Sequence, residues 1–406
     1  MSYDIESVRA DFPALVNGSA HFDGPGGTQT PQQVIEAIAA ALRNPLSNRG
    51  TVTTGESNAE KTVTDARSAI ADLVGGDPGG VVFGRSATQL CYDFSRWISR
   101  SWGPGDEVVV TRLDHDSNIR PWVQAAEHTG ATVRWLDFDP ESSELDDIAT
   151  VLSDRTKLVA VTAASNLIGT KPPVAAISAA AHKVGSLVYV DGVHFTAHAA
   201  ADIAAFGADF YSCSPYKFLG PHLGALAASP ELLESLHPDK LLPSTNDVPE
   251  RFEFGTLPYE MLAGVAAAVD YLSNMGTTAG KNSTLANAPR REKLVDAFAR
   301  LAEHEDALLA RLESGLAELP AVTVHSRAEH RTPTLLLTFD GRDTHDAYEF
   351  LAARGVDAPS SNFYALEASR RLGLGDEGGL RVGLAPYSSD DDIDRLLAGL
   401  GAFLAS

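Results

Sequence analysis

The feature that most constrains the fold is a regular alternation of short apolar runs with alanine-rich helical stretches through the middle of the chain. The apolar runs are continuous and rich in β-branched residues, which is typical of strands that a parallel sheet buries on both faces. This pattern predicts an α/β domain whose helices cover both faces of a mostly parallel sheet. The predicted strands are 80–83, 107–111, 132–135, 158–162, 187–190 and 210–213, and the helices between them include 89–99, 119–128, 174–182 and 200–206.

After residue 276 the regular alternation of strands and helices ends. Residues 277–290 are rich in Thr, Gly, Asn and Ser, and this composition predicts a linker or an exposed loop. A long helical pattern at 292–319 follows, then strands at 322–325, 334–338 and 380–384, a helix at 345–354 and a last helix that ends at 404. We therefore predict a large domain at 20–270 and a smaller α+β domain made of 1–19 and 285–406.

Composition excludes several classes of function. The 406 residues carry 32 basic and 54 acidic side chains, a net charge of −22, which argues against binding to nucleic acid or to an anionic membrane. Two cysteines are too few for a disulfide framework, and no apolar run is long enough to span a membrane. The N-terminus lacks the basic and apolar regions of a signal peptide, so we predict a cytoplasmic protein.

Polar residues follow the predicted strands at regular intervals. Asn166, Asp191 and Lys217 each come just after a strand, and they are 25 and 26 residues apart, the length of one strand–helix unit. His115 follows the strand at 107–111, and the segment 84–88 leads from the first strand into a helix. Because ligands bind at the carboxyl ends of parallel strands, we expect these residues to surround one crevice.

This set of side chains has a specific chemical meaning. A lysine among apolar neighbours has a partly deprotonated amine, which can form a Schiff base with pyridoxal phosphate (PLP). A buried carboxylate such as Asp191 can keep the pyridine nitrogen protonated, and an imidazole can stack on the ring. The start of the helix after 84–86 offers backbone amides and hydroxyls to a phosphate, from Ser86, Ala87 and Thr88.

With these residues in view, the chain resembles the class V aminotransferases of PLP fold type I, and within them the cysteine desulfurase-like branch. The resemblance implies a large PLP-binding domain with a mostly parallel, seven-stranded sheet of the aspartate aminotransferase type, and a smaller α+β C-terminal domain. The segments that carry it are HFDGPGGTQ (21–29), DHDSNIRPW (114–122), SNLIGT (165–170), VDGVH (190–194), SPYKFLGPHLG (214–224), FEFGT (252–256) and LRVGLAPY (380–387).

The resemblance also implies a role for individual residues toward PLP. They are Lys217 as the Schiff-base lysine, Asp191 as the partner of the pyridine nitrogen, His115 as the stacked ring and proton shuttle, Asn166 and His194 facing the ring hydroxyl, and Ala87, Thr88 and Ser214 at the phosphate.

Further residues are implied to bind the substrate or a second subunit. Arg381 matches the arginine that pairs with the α-carboxylate of an amino-acid substrate, and Gly26, Asn48 and Arg49 match N-terminal substrate contacts. Thr256 matches a residue that reaches the phosphate of a neighbouring subunit, which implies a homodimer with a shared active site. No metal is expected, although His194 and His198 are four residues apart.

The departures from the branch bear on the reaction. His194 stands where desulfurases usually have Gln, and Tyr216 where they often have His. The stretch 358–364 matches the loop that carries their persulfide-forming cysteine, but it contains no cysteine, and we expect Cys91 and Cys213 to be buried. The leading hypothesis is therefore desulfurase-like or C–S (or C–Se) β-lyase chemistry on a small amino acid, without a cysteine on that loop.

Three alternatives stay open at this stage. An amino-acid epimerase would need a second base, for which Tyr364 and His115 are candidates, and an aminotransferase would use the same cofactor. A PLP-binding scaffold without catalysis is the alternative from another class. A nicotinamide-binding enzyme is disfavoured because no G-x-G-x-x-G follows a predicted strand.

Overall fold

A computed structural model gives the architecture and describes residues 3–275 and 287–406. Residues 277–286 of the predicted linker lie outside the described residues. The strands are β1 (Ala20–His21), β2 (Val81–Gly84), β3 (Glu107–Thr111), β4 (Thr132–Leu136), β5 (Thr156–Thr162), β6 (Leu187–Asp191), β7 (Phe210–Cys213), β8 (Gly224–Ala228), β9 (Val322–Val324), β10 (Thr334–Phe339), β11 (Val356–Asp357), β12 (Ser360–Ser361) and β13 (Gly379–Gly383).

Helices flank and connect these strands. They are α1 (Ile5–Ala10), α2 (Gln32–Arg43), α3 (Thr54–Val74), α4 (Ala87–Ile98), α5 (Arg120–Thr129), α6 (Val174–Lys183), α7 (Ile203–Phe206), α8 (Pro230–Glu234), α9 (Tyr259–Asn274), α10 (Arg290–Ala317), α11 (Thr344–Ala352), α12 (Leu366–Arg371) and α13 (Asp390–Ala405). The sequence predicted the helix at 200–206 too long. It begins at Ile203 because the side chain of Asp202 accepts a hydrogen bond from the Ala205 amide and caps it there.

The large sheet has seven strands in the order β2-β8-β7-β6-β5-β3-β4. The five strands β7, β6, β5, β3 and β4 are parallel to one another. Strand β8 is antiparallel to both of its neighbours, β2 and β7. Apolar side chains on the two faces of this sheet belong to two separate buried clusters. The predicted α/β class with a mostly parallel sheet is confirmed, and parallel strands bring their carboxyl ends to one edge.

Strand β8 is absent from the sequence prediction. Its residues are Gly-Ala-Leu-Ala-Ala, which have low intrinsic strand preference, and the strand forms because β2 and β7 pair with it on both sides. A side chain at Gly224 would place its Cβ 2.2 Å from the carbonyl carbon of Ser86, so glycine is required where β8 meets the start of α4.

The C-terminal part contains a four-stranded antiparallel sheet in the order β12-β13-β10-β9. Helices α10, α11 and α13 pack on it, and their leucines form a third buried cluster. Helix α13 begins with a capping box in which Ser389 and Asp392 each bond to the backbone of the other. This is the smaller α+β part that the sequence predicted.

The N-terminal segment contacts both parts of the molecule. Strand β1 pairs in parallel with β11, and Arg9 lies 2.7 Å from Asp392 on α13. Phe12 instead packs edge-on against Tyr271 of α9 in the core of the large domain. The boundary at residue 19 therefore stays a prediction. In the described part of the chain, no helix combines the length and apolar character needed to cross a bilayer.

Candidate active site

A cavity of about 690 Å³ lies at the carboxyl ends of the parallel strands of the seven-stranded sheet. Its walls include residues that follow these strands, residues of the N-terminal segment and residues of the C-terminal four-stranded sheet and its loops. Eleven of the fourteen residues predicted from the sequence line it, namely Gly26, Ser86, Ala87, Thr88, His115, Asn166, Asp191, His194, Ser214, Lys217 and Arg381.

Lys217 lies in the turn that follows β7. Its Nζ donates hydrogen bonds to the backbone carbonyls of Pro25 and of Gly26, the latter at 3.0 Å. Burial, together with the nearby charge of Arg381, lowers the pKa of Lys217 to about 7, although Asp191 opposes the shift. A large fraction of the amine is therefore neutral and nucleophilic near pH 7.

Asp191 is the last residue of β6 and is 6% exposed. Its Oδ1 accepts a hydrogen bond from the Val193 amide at 2.9 Å, and Oδ2 has no hydrogen-bond partner within residues 3–275 and 287–406. Burial raises the pKa of Asp191 to about 6, while the Val193 amide and the charge of Lys217 lower it. A cationic N–H that enters the cavity would find here a carboxylate with one free oxygen.

His115 follows β3 and has a defined tautomer. Its Nδ1 accepts a hydrogen bond from the Ser117 amide at 3.0 Å, so the proton of the neutral ring is on Nε2. Burial, with the charges of Lys217 and Arg381, lowers the pKa of His115 to about 3, which keeps the imidazole neutral. The ring of Tyr364 is stacked on it, with centroids 5.6 Å apart.

Asn166 and His194 each present an unpaired polar atom. Within the described part of the chain, Oδ1 of Asn166 and Nδ1 of His194 are buried without a hydrogen-bond partner. The other ends of these side chains are held, since Asn166 donates to the carbonyl of Phe363 at 3.0 Å and His194 Nε2 lies 2.9 Å from the Thr332 hydroxyl. Unpaired buried polar atoms in a cavity indicate a polar ligand.

The start of α4 forms an anion cradle. Ser86 caps the helix by accepting a hydrogen bond from the Gln89 amide at 3.1 Å, and the amides of Ala87 and Thr88 lie in the first turn. The amides in that turn have no carbonyl partner within their own helix, and they carry the positive end of the helix dipole. The close approach of Gly224 to Ser86 fixes the position of this turn.

Arg381 lies on β13 and reaches the cavity from the C-terminal domain. Its Nη2 donates to Oδ1 of Asp23 at 2.6 Å, its Nη1 donates to the Asn166 carbonyl at 3.1 Å, and its guanidinium lies 3.7 Å from the ring centroid of Phe363. The side chain is 2% exposed, and its Nε is buried without a partner among the described residues. Arg381 thus keeps a donor for an anion that enters the cavity.

The other three predicted residues do not line the cavity of this chain. Arg49 pairs with Glu60 and with Glu250, each at 2.8 Å, and so ties its segment to α3. Asn48 and Thr256 are both exposed, and the Thr256 hydroxyl donates to Oδ1 of Asn48 at 3.5 Å. Their predicted roles at the site stay predictions, and for Thr256 that role involves a second subunit.

Several residues of the cavity wall were missed in the sequence. Asp23 lies within the segment 21–29 that was singled out, but its carboxylate became significant only when β13 brought Arg381 beside it. Other missed residues are Tyr92, Asp116, Arg120 and Phe363. Phe363 and Tyr364 both adopt left-handed backbone conformations, with φ of 52° and 58°, which nothing in the residue types announces.

Both cysteines are buried, as predicted. Cys91 is 2% exposed and Cys213 is 1% exposed, and neither lines the cavity. Burial raises the pKa of Cys213 to about 12 and also raises that of Cys91, so both thiols stay protonated. A protonated, inaccessible thiol is a poor nucleophile.

These residues fit PLP. The phosphate matches the amides at the start of α4, the pyridine nitrogen matches the free oxygen of Asp191, and the aldehyde matches the neutral amine of Lys217. The unpaired atoms of Asn166 and His194 suit the ring hydroxyl. Asn166 and His194 contribute atoms that are unpaired among the described residues, while the carbonyls of Pro25 and Gly26 hold the Lys217 amine in the cavity.

Comparison with known proteins gives a consistent result. The profile of the family Aminotransferase class-V matches residues 20–297 and 294–396. An uncharacterized protein from Mycobacterium tuberculosis is 31% identical over 99% of this chain and 100% of its own length. A cysteine desulfurase from Dickeya dadantii is 31% identical over 98% of this chain and 96% of its own length.

Solved structures agree at the level of the fold. A cysteine desulfurase from Thermococcus onnurineus has a TM-score of 0.89 at 23% identity, covering 100% of this chain and 99% of its own. The cysteine desulfurase CsdA from Escherichia coli has a TM-score of 0.86 at 24% identity, with the same coverage.

Proposed function

The chain belongs to the class-V aminotransferase family, and from this premise we propose that it is a lyase that breaks the C–S bond of a cysteine-type amino acid. Members of this family use PLP, so the chain is a PLP-dependent enzyme. Its relatives include proteins named cysteine desulfurase, which supports chemistry at sulfur. The proposal differs from those names in one respect, which is that the sulfur leaves as a free thiol.

PLP, when bound, supplies an electron sink that stabilises negative charge at the Cα atom of an amino acid. We propose that Lys217 holds the cofactor covalently, that Asp191 pairs with its ring nitrogen and that the start of α4 binds its phosphate. With a pKa of about 7, the Lys217 amine exists in both its neutral and its protonated form near pH 7. This suits a group that accepts and returns protons at Cα.

The substrate would be oriented by Arg381. A planar guanidinium binds a carboxylate through two parallel hydrogen bonds, which fixes the orientation of Cα as well as its position. His115 has its proton on Nε2 and stays neutral, so it acts as a hydrogen-bond donor rather than as a cation. Together these groups favour removal of a proton at Cα and departure of a group at Cβ.

The burial of both cysteines is the observation that favours a lyase over a persulfide-forming enzyme. A persulfide acceptor must be an accessible thiolate. Cys91 and Cys213 are 2% and 1% exposed and have raised pKa values. The net reaction proposed is R–S–CH₂–CH(NH₃⁺)–COO⁻ plus water giving R–SH, pyruvate and ammonium, in which no protein thiol takes part.

We also propose that two copies of the chain form a homodimer with a shared site. Val52 and Phe254 are 89% and 52% exposed. Val52 lies four residues after Asn48 in the sequence and Phe254 lies two residues before Thr256, and Asn48 and Thr256 contact each other. Exposed apolar side chains next to polar residues that do not line the described cavity support a surface covered by a second copy. A cytoplasmic location stays a proposal, which two reduced thiols support.

The experiment is an amino-acid panel incubated with the purified PLP-loaded protein. The proposal predicts pyruvate, ammonium and a free thiol in equal amounts from an S-substituted cysteine, with hydrogen sulfide in place of the thiol from cysteine itself, and loss of this activity in Lys217→Ala. Alanine release with a persulfide on the protein would contradict it. Racemisation, or transfer of the amino group without pyruvate, would favour the epimerase or the aminotransferase.

A further inference from the structure

A second guanidinium lines the cavity, on the wall formed by the start of α5. Arg120 is the first residue of that helix, and Asp116 and Ser117 lie on the same stretch of wall. Its side chain is 30% exposed, so the charged group is accessible from the cavity. No role for Arg120 was predicted from the sequence, and the proposed chemistry does not use it.

Two carboxylates hold Arg120 in place. Its Nε lies 2.8 Å from Oδ1 of Asp116, and its Nη2 lies 2.5 Å from Oε1 of Glu367 on α12. Its third nitrogen, Nη1, has no hydrogen-bond partner among residues 3–275 and 287–406. The guanidinium is therefore oriented in advance, and both N–H groups of Nη1 remain for a ligand.

Glu367 pairs with a second arginine as well as with Arg120. Its other oxygen accepts a hydrogen bond from Arg112 at 2.8 Å, and Arg112 also pairs with Asp137 and packs on Trp135. Arg112 does not line the cavity. Glu367 is therefore shared by two arginines, whereas Asp116 also lowers the net charge at Arg120, so the attraction for an anion depends on the hydrogens of Nη1.

We infer that Arg120 recognises a carboxylate at the far end of the substituent on the substrate's sulfur. This rests on the proposed C–S lyase function, in which the sulfur leaves together with its substituent as a thiol. Arg381 serves the α-carboxylate, so a second guanidinium in the same cavity suits a substrate with a second anionic group. The substrate class is then an S-(carboxyalkyl)cysteine.

The reaction balances for the simplest such compound. S-carboxymethyl-L-cysteine plus water gives thioglycolate, pyruvate and ammonium. The bond between Cβ and sulfur breaks, the sulfur keeps the electron pair and takes a proton, and water supplies the oxygen of pyruvate. No oxidant or reductant is consumed.

The test compares S-carboxymethyl-L-cysteine with S-carbamoylmethyl-L-cysteine, which has nearly the same shape but no charge on its substituent. We expect the protein to prefer the carboxylate by about tenfold in kcat/KM, since a hydrogen-bonded charge pair is lost with the amide. Arg120→Gln should bring the ratio to about one, and Arg120→Lys should restore part of it. Arg112→Gln leaves Glu367 to Arg120 alone, so it should lower the preference without abolishing it.

Binding without turnover separates this inference from the proposed function. The dissociation constant of each compound is read from the change it causes in the visible spectrum of bound PLP. A binding preference that Arg120→Gln removes, with no thiol released from either compound, would overturn the lyase and support Arg120. Thiol release with equal kcat/KM and equal binding for the two compounds would support the lyase and overturn the role of Arg120. An unchanged preference in Arg120→Gln would also overturn it.

Discussion

Nη2 of Arg381 lies 2.6 Å from Oδ1 of Asp23, so the arginine assigned to the substrate carboxylate already has an anionic neighbour. Arg381 is 2% exposed, whereas Asp23 is 43% exposed in its side chain. In the proposed role of Arg381, a substrate carboxylate shares the guanidinium with a carboxylate that water partly solvates. We therefore expect Asp23 to limit how tightly the substrate binds.

Asp23→Asn removes the competing charge but keeps a side chain that accepts a hydrogen bond. We expect KM for the amino-acid substrate to fall about fivefold, which corresponds to about 1 kcal/mol of electrostatic competition. The matched ligand is the same compound with its α-carboxylate converted to an amide, whose binding should not improve. A higher KM for the acid would show instead that Asp23 positions Arg381.

The pKa of Lys217 predicts how PLP attachment depends on pH. Only the neutral amine attacks the aldehyde, so the rate at which the apo-protein takes up PLP should rise with pH and level off above about 7. For an ordinary lysine the rise would continue to about 10.4. The measurement is the rate of appearance of the visible band after PLP is mixed with apo-protein between pH 5 and 10.

Asp23 also serves as a check on that profile. Its charge raises the pKa of Lys217, against the larger effects of burial and Arg381. In Asp23→Asn the midpoint of the pH profile should move to a lower pH. A midpoint that stays near 10 in the unaltered protein would contradict the burial of this amine.

Gly224→Ala should weaken the binding of PLP. The added Cβ would lie 2.2 Å from the carbonyl carbon of Ser86 and 2.5 Å from the Ala87 amide nitrogen, so the start of α4 has to move. We expect the dissociation constant of PLP to rise at least about tenfold, because the anion cradle depends on the placement of these amides. Gly103→Ala is the control, since a Cβ there meets nothing within 4 Å. Equal PLP affinity in the two variants would argue against the cradle.

Glu253→Gln tests an ion pair next to β2, the strand that leads into the start of α4. Glu253 pairs with buried Arg67 at 2.8 Å and accepts a hydrogen bond from the Phe83 amide on β2. Removing its charge leaves Arg67 short of a partner, and we expect the free energy of unfolding in urea to fall by about 3 kcal/mol. Glu250→Gln removes a longer contact of 3.3 Å with the same arginine and the 2.8 Å pair with Arg49, but Glu250 is 27% exposed, so the loss should be about 1 kcal/mol.

The sequence predicted the parallel sheet and the residues that follow its strands because both depend on local patterns. Continuous apolar runs specify buried strands, and a spacing of one strand–helix unit brings Asn166, Asp191 and Lys217 to the same edge. Strand β8 escaped prediction because its small residues become a strand only between two neighbours. Glycine is required at position 224 of this strand because the backbone of Ser86 and Ala87, nearly 140 positions away in the chain, leaves no room for a Cβ.

The groups missed at the site depend on contacts between distant segments. The ion pair of Asp23 with Arg381 joins residues 358 positions apart, and that of Arg120 with Glu367 joins residues 247 positions apart. No periodicity or spacing signals such pairs in a single sequence. The left-handed conformations of Phe363 and Tyr364 are likewise set by the hydrogen bonds that the Asn166 side chain and the Asp116 amide make to their carbonyls.

We propose that C–S cleavage by this chain needs Lys217 and no protein thiol. The most direct measurement is pyruvate and thiol release from an S-substituted cysteine by the double variant Cys91→Ala/Cys213→Ala, with its visible PLP band as the check that the site is intact. We predict that this cysteine-free protein keeps kcat within about twofold of the unaltered enzyme, because both thiols are buried and protonated. Loss of thiol release in a variant that still shows the PLP band would contradict the account.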